Sequence, residues 1–108
     1  MFVMAGMYNM NDLLNLVARE AAEELRLEPG MPPTIILQGK SRIIDASLVT
    51  DDNVSELFRS IATEEQRREL ARCGDIHFTF VAQNSARFSV SAAMQRESLT
   101  LRIRNLAR

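Results

Sequence analysis

From residue 76 onward, apolar residues recur at every second position, and no other feature of this sequence constrains its fold as strongly. Three successive runs show this period: Ile76, Phe78 and Phe80; Phe88, Val90, Ala92 and Met94; Leu99, Leu101 and Ile103. Successive side chains of a strand point to opposite faces of a sheet, so each run predicts a strand with one buried and one solvated face. Turn-like residues separate the runs, and the pattern therefore indicates an antiparallel meander.

Helical periodicity begins near the N-terminus. Asn11 and Asp12 offer an N-cap and an early acidic residue to a predicted helix of about 13 residues. Its apolar positions recur at helical spacing: Leu13, Leu14, Val17, Ala18, Ala21, Ala22 and Leu25. Residues 1–10, in which every third residue from Met1 to Met10 is a methionine, are expected to be an extension or an added segment.

Two further helices are predicted after residue 50. Residues 50–52, Thr-Asp-Asp, precede a stretch whose apolar residues have helical spacing. Thr63 and Gln66 have the spacing of a capping box, in which each side chain binds the backbone N–H of the other residue. Gly74 suits the position just past a helix end, where the backbone turns left-handed.

The segment between the first two helices favours short strands. Residues 28–33, Glu-Pro-Gly-Met-Pro-Pro, contain several helix breakers and predict a turn. The preceding residues 25–27 alternate as a short strand would, and the β-rich segments 34–38 and 42–45 flank a predicted turn at Gly39-Lys40-Ser41. The predicted order is α-β-β-β-α-α-β-β-β, an α+β fold with the helices packed on one side of an antiparallel sheet.

Length and composition fit a single domain over residues 11–108. A chain of 108 residues has no room for a second core, and 46% hydrophobic with 25% charged residues is a globular composition. Cys73 is the one cysteine and His77 the one histidine, which excludes a disulfide framework and a structural zinc site. No run approaches the ~18 apolar residues of a membrane span, and the N-terminus lacks the basic residue of a signal peptide. A soluble cytoplasmic domain is expected.

Charge is distributed unevenly along the chain. The net charge of −1 argues against bulk attraction to nucleic acid or to a membrane surface. Residues 76–108 nevertheless hold five arginines against one acid, Glu97. The planar guanidinium of arginine suits bidentate contact with a carboxylate or a phosphate.

The last hairpin would collect part of this charge on its outward face. If residues 96–97 form a two-residue loop, the register of the two strands follows from it. The predicted neighbours are then Ser91 with Arg102, Ser89 with Arg104 and, diagonally, Arg87 with Arg104. This face is either an ordinary solvated strand surface or a surface that accepts an anion or a second subunit.

The sequence contains no catalytic constellation. Gly39-Lys40-Ser41 has the ending of a phosphate-binding loop, but Thr34 stands where that loop needs a glycine, and a predicted strand follows instead of a helix. Cys73 is predicted at a helix end and His77 on the solvated side of a strand, without the third group that orients a nucleophile–base pair. The domain is expected not to be an enzyme and to hold no metal.

Five segments together resemble a known family. They are residues 24–33, Gly39, residues 86–88 (Ala-Arg-Phe), residues 94–96 (Met-Gln-Arg) and residues 101–104 (Leu-Arg-Ile-Arg). In their order and spacing they resemble the N-terminal domain of type IV pilus retraction ATPases, the PilT-type members of the secretion ATPase superfamily. The resemblance covers about residues 11–106.

The resemblance implies a PAS-like fold and a non-catalytic role in assembly and motion. In that family the domain precedes an ATPase domain that binds ATP and Mg²⁺, and the full chains form hexamers that act in twitching motility. The N-terminal domain packs on the ATPase domain of a neighbouring subunit. The resemblance implies that the ATPase domain of a neighbouring subunit is the partner here, and it is compatible with a homo-oligomer. It further implies no cofactor in this domain, no binding of nucleic acid and no membrane span.

Two arginines carry the family's expected contacts. Arg87 matches the first arginine of the family's Arg-Phe-Arg strand, and Arg104 matches the arginine of its last strand, so both are expected at the subunit interface or near the nucleotide. Arg102, Ser89 and Ser91 are expected to support them.

The sequence also departs from the family pattern, and two alternatives stay open. Glu24 and Arg26 stand where the family has Asp and His, and Ser89 stands where it has a second arginine. One alternative is a stand-alone PAS-like domain that senses a ligand or binds another protein. The other is a piece of an ATPase whose catalytic domain lies beyond Arg108.

Overall fold

The computed structural model describes residues 9–45, 47–83 and 85–106. Within these residues the chain forms three helices and six strands in the predicted order. The elements are α1 (Met10–Arg19), β1 (Glu24–Leu27), β2 (Thr34–Leu37), β3 (Lys40–Ile43), α2 (Asp51–Ile61), α3 (Glu64–Cys73), β4 (Asp75–Val81), β5 (Arg87–Gln95) and β6 (Ser98–Asn105).

All six strands join one antiparallel sheet in the order β3-β2-β1-β6-β5-β4. The short N-terminal strands form one half and the C-terminal meander forms the other, and β1 pairs with β6 where the halves meet. In that pairing Leu25 lies opposite Ile103 and Leu27 opposite Leu101, and all four side chains are fully buried. The predicted α+β fold is confirmed.

The core lies between the helices and one face of the sheet. Alternate residues of the central strands are buried, as the period of two predicts, and Phe88 is the largest of them. Phe78 and Phe80 point to the same side but are only half-buried, because β4 is an edge strand with a neighbour on one side only. The helices contribute one stripe each, with buried residues Met10, Leu13, Leu14, Val17, Val54, Leu57, Phe58, Ile61 and Leu70.

The first helix is shifted from its predicted position. It begins at Met10 and its N-cap is Asn9, whose side chain accepts a hydrogen bond from the backbone N–H of Asp12 at 3.3 Å. It ends at Arg19, because the backbone turns left-handed at Ala21 (φ +55°) and pairing within the sheet takes Leu25 into β1. Met10 is thus the first residue of the helix and Asn9 its N-cap, although both fall in the predicted extension. The rest of the predicted extension, residues 1–8, lies outside the described residues.

The predicted boundaries of the other two helices are confirmed. Thr50 caps α2, and its hydroxyl accepts a hydrogen bond from the backbone N–H of Asn53 at 3.0 Å. Thr63 and Gln66 form the predicted capping box of α3, with reciprocal bonds of 2.9 and 3.1 Å. Gly74 follows α3 at φ +88°, the left-handed conformation that glycine adopts most readily.

Two hairpin turns place residues other than glycine in the left-handed region. The turn between β2 and β3 consists of Gln38 (φ +51°) and Gly39 (φ +80°), so the predicted turn at residues 39–41 is wrong by one position, and Lys40 already pairs with Leu37. The turn between β5 and β6 consists of Arg96 (φ +52°) and Glu97 (φ +68°). Two-residue loops with both central φ values positive match the twist of the paired strands, which explains this geometry.

We expect Glu97→Gly to stabilise the domain by about 1 kcal/mol, because glycine adopts a positive φ without the steric cost of a Cβ. The free energy of unfolding in urea measures the effect. Gln95→Gly is the matched control, since Gln95 has extended backbone within β5, and it should destabilise by about 0.5–1 kcal/mol. A loss of stability in the Glu97 variant would contradict this account of the turn.

Candidate functional site

The face of the sheet that points away from the helices carries most of the charge on the central strands. Arg26 on β1, Arg87 on β5, and Arg102 and Arg104 on β6 all point to this side, alternating with buried neighbours. We call these four residues the arginine face. Glu24 is the one acid among the outward positions of β1, β5 and β6, which all lie in the described part of the chain.

The register of β5 and β6 is the predicted one. Ser91 lies opposite Arg102 and Ser89 opposite Arg104. Arg87 lies at the start of β5, diagonal to Arg104 on the same face. The structure thus brings together all five residues that the sequence singled out.

The opposite flank of β6 adds two residues that the sequence did not single out. Glu24 lies opposite Arg104 and Arg26 lies opposite Arg102. Directly opposed residues of antiparallel strands have Cβ atoms about 4.5–5.5 Å apart, so two like charges there destabilise the pair. Arg26 and Arg102 form such a like-charged pair in the middle of the sheet.

Glu24 offsets part of this repulsion. Its Oε2 atom accepts a hydrogen bond from Nε of Arg26 at 2.5 Å, and the two residues share one face of β1. The hydrogen bond and the charge of Glu24 raise the pKa of Arg26 above its usual value. Arg26 therefore stays protonated, and the carboxylate of Glu24 compensates part of its positive charge.

Within the described residues, the other three arginines of this face form no ion pair. The ion pairs among the described residues are Arg26–Glu24, Arg42–Glu20, Arg68–Glu64 and Arg72–Glu69. Arg87, Arg102 and Arg104 take part in none of them and are exposed to solvent. Guanidinium groups in this state can donate paired hydrogen bonds to an external carboxylate or phosphate.

A groove of about 590 Å³ runs across the junction of the two sheet halves. It is lined by Glu23, Glu24, Arg26, Ile36, Ser91, Arg102, Arg104 and Asn105. The buried Asn105 is held in place by its Nδ2 atom, which donates to the carbonyl of Ala22 at 3.1 Å. The groove is wide, polar and open, which suits a protein surface better than an enclosed small molecule.

His77 also lies on this face of the sheet, exposed on β4 as predicted. Its Nε2 atom lies 2.6 Å from the hydroxyl of Ser89. Cys73 is the last residue of α3, and its Sγ atom lies 3.3 Å from a carboxylate oxygen of Glu69. Its predicted position at the helix end is confirmed, but the side chain is exposed rather than packed. Each residue has its own partner, and the structure does not link the two.

The structure also bears on the phosphate-binding loop and on a metal site. Gly39-Lys40-Ser41 runs from a hairpin turn directly into β3, so a strand follows where a phosphate-binding loop needs a helix. Among residues 9–45, 47–83 and 85–106, no three His, Cys, Asp or Glu side chains come close enough to hold a metal ion. Within the same residues, no helix has the length and apolar character needed to cross a membrane.

The contribution of β1 to the site could not be predicted from the sequence. The alternation of Leu25 and Leu27 around Arg26 was the available signal, and it places Arg26 on the solvated face. It does not say which strand lies beside β1, because that pairing joins residues more than seventy positions apart. The neighbours of Arg26 and Glu24 are decided by the sheet order.

Comparison with known proteins gives two related sequences. The type IV pilus ATPase PilU of Pseudomonas aeruginosa is 26% identical over 94 residues, which cover 87% of this chain and 25% of PilU. The type IV pilus retraction ATPase PilT of the same organism is 30% identical over 87 residues, which cover 81% of this chain and 25% of PilT. The chain spans about a quarter of the length of these relatives. No family model matches the sequence.

Solved structures share the fold. A crystal structure of the pilus retraction motor PilT with bound ADP superposes with a TM-score of 0.84 at 23% identity, covering 92% of this chain and 29% of that chain. The ATPase DotB of Legionella pneumophila superposes with a TM-score of 0.75 at 16% identity, covering 97% of this chain and 31% of that chain. The fold is therefore that of one domain of these longer proteins.

We expect Glu24→Gln to lower the free energy of unfolding by about 1 kcal/mol at low ionic strength, because Arg26 then faces Arg102 without compensation. Added salt should reduce the loss, since it screens like charges. Urea unfolding at low and high ionic strength measures both effects. Glu64→Gln, which breaks an exposed pair with Arg68 on α3, is the control and should cost less than about 0.5 kcal/mol. A loss that does not depend on salt would contradict the role given to Glu24.

Proposed function

Because this chain matches the N-terminal domain of PilT-type secretion ATPases, we propose that it is a non-catalytic assembly domain. In this proposal it docks through the arginine face on the ATPase domain of a neighbouring subunit. ATP and Mg²⁺ belong to that ATPase domain, and the domain described here contributes contacts and moves as a rigid body. Arg87 and Arg104 are the central contacts, and Arg102, Ser89 and Ser91 support them.

The observation that carries the proposal is the charge on the face of the sheet that points away from the helices. Four arginines stand on three adjacent strands with Glu24 as the one acid, and the hydrogen bond of that acid is to Arg26. The opposition of Arg26 and Arg102 costs free energy in the isolated domain. A partner that brings carboxylates or phosphates to this face removes that cost on binding.

Rigidity makes this face suitable for transmitting motion. β6 is hydrogen-bonded to β1 on one side and to β5 on the other, so the backbone under Arg102 and Arg104 is fixed by both neighbours. Leu101 and Ile103, the alternate residues, are fully buried against the helices. A force applied to the arginines therefore reaches the whole core and not a flexible loop.

The alternative of a ligand-sensing domain receives no support from the interior. Such a domain needs space between the sheet and the helices. In the described part of the chain that space is filled by fully buried side chains, among them Leu14, Leu25, Phe88, Val90 and Leu101.

We expect Arg104→Gln and Arg102→Gln each to weaken binding to the separately prepared ATPase domain of Pseudomonas aeruginosa PilT by about tenfold, the loss of one charge-assisted contact. Affinity of the unsubstituted chain should fall with added salt. Titration calorimetry or surface binding measures both, and thermal melting checks that the variants stay folded.

Arg72→Gln is the matched control for this experiment. It removes the same charge from an exposed arginine of α3, on the helix side of the domain, where Arg72 pairs with Glu69. Binding should be unchanged. If Arg72→Gln weakens binding as much as Arg104→Gln does, net charge rather than the arginine face determines docking, and the proposal fails.

A further inference from the structure

A second surface lies on the helix side of the domain, where α2 and α3 meet the end of the β5–β6 hairpin. A shallow groove of about 310 Å³ is found there. Its lining residues are Ser55, Phe58, Arg59, Arg67, Leu70, Met94 and Leu99. None of them belongs to the arginine face, which points to the opposite side of the sheet, so the two surfaces are independent.

The floor of the groove is apolar and reaches water at Met94. Phe58, Leu70 and Leu99 are buried members of the core, and the ring of Phe58 is held against that of Phe78 with centroids 6.4 Å apart. Met94 lies opposite Leu99 on the hairpin and points to the helix side, yet 42% of it is exposed. A flexible thioether at the mouth of an apolar groove adapts readily to different bound side chains.

Two arginines border this apolar floor, and neither has a counter-ion in the described part of the chain. Arg68 and Arg72 of α3 each pair with an acid of the same helix, whereas Arg59 and Arg67 take part in no ion pair within the described residues. The Nε atom of Arg67 is buried and has no hydrogen-bond acceptor in that part of the chain. Arg67 as a whole is only partly buried, so its other guanidinium nitrogens can reach an external anion. A buried N–H without an acceptor costs free energy, and a carboxylate bound to the other nitrogens of the same guanidinium offsets part of that cost by compensating its charge.

We propose that this groove binds a peptide segment of a partner protein that presents a large apolar side chain next to a carboxylate. The apolar side chain covers Met94 and Leu99 and contacts Phe58. The carboxylate accepts hydrogen bonds from Arg67, with Arg59 on the other rim adding to the positive potential. The combination of an apolar floor and two uncompensated guanidinium groups selects an acidic segment over a neutral or basic one.

A second copy of this chain is a poorer occupant. Two copies meeting symmetrically through this groove would bring Arg59 and Arg67 towards their own counterparts, because an isologous contact uses the same patch twice. Such a contact places like charges together at the edge of an apolar surface, where they repel.

The test uses two capped tripeptides, Glu-Phe-Glu and Gln-Phe-Gln, titrated into the isotopically labelled chain and followed by NMR. We expect saturable shifts of the Met94 and Leu99 methyl resonances, with the acidic peptide binding about tenfold more tightly than the neutral one. Arg67→Gln should remove most of this preference, since only Arg59 then remains, and should leave the affinity for the neutral peptide unchanged. Arg68→Gln is the matched control on α3 and should leave the preference unchanged.

Three outcomes would overturn the proposal. The first is equal affinity for the two peptides, which would remove the role of the guanidinium groups. The second is a set of shifts confined to the arginine face, which would show that the peptide binds there and not in the groove. The third is a dependence of the Met94 shifts on protein concentration without peptide, accompanied by dimers in sedimentation, which would identify a second copy as the occupant.

Discussion

The pairing of β1 with β6 is the interaction on which the rest of the structure depends. It joins a half made of short N-terminal strands to a half made of a long meander, and so makes one six-stranded sheet of the two. Leu25 and Leu27 are buried against Ile103 and Leu101 at this junction, on the side facing the helices. Asn105 adds a buried hydrogen bond to Ala22 that fixes the turn leading into β1.

The same pairing creates the charged surface on the other side. Each register step that buries a leucine places a charged residue outward, so Arg26 comes opposite Arg102 and Glu24 opposite Arg104. Packing and electrostatics are therefore coupled. Because side chains alternate between the two faces of a strand, the register that buries the leucines also sets the charged residues of β1 and β6 opposite one another. Stability gained in the core offsets the repulsion on the outer face.

The sheet separates two surfaces of different character. The outer face is wide, polar and rigid, and its exposed arginines lack partners within the described residues. The groove on the helix side is shallow and has an apolar floor, with Met94 at its mouth and Arg67 at its rim. Neither surface uses a residue of the other.

The sequence by itself determined the element order, the caps of α2 and α3, and the register of the last hairpin, because these depend on residues close together in the chain. Ser89 and Ser91 are placed beside Arg104 and Arg102 by a turn of two residues. The order of the strands and the end of α1 were decided only in the tertiary structure. Leu25 continues a helical period in the sequence, yet burial against Ile103 favours the strand, and no local signal reports a partner more than seventy residues away.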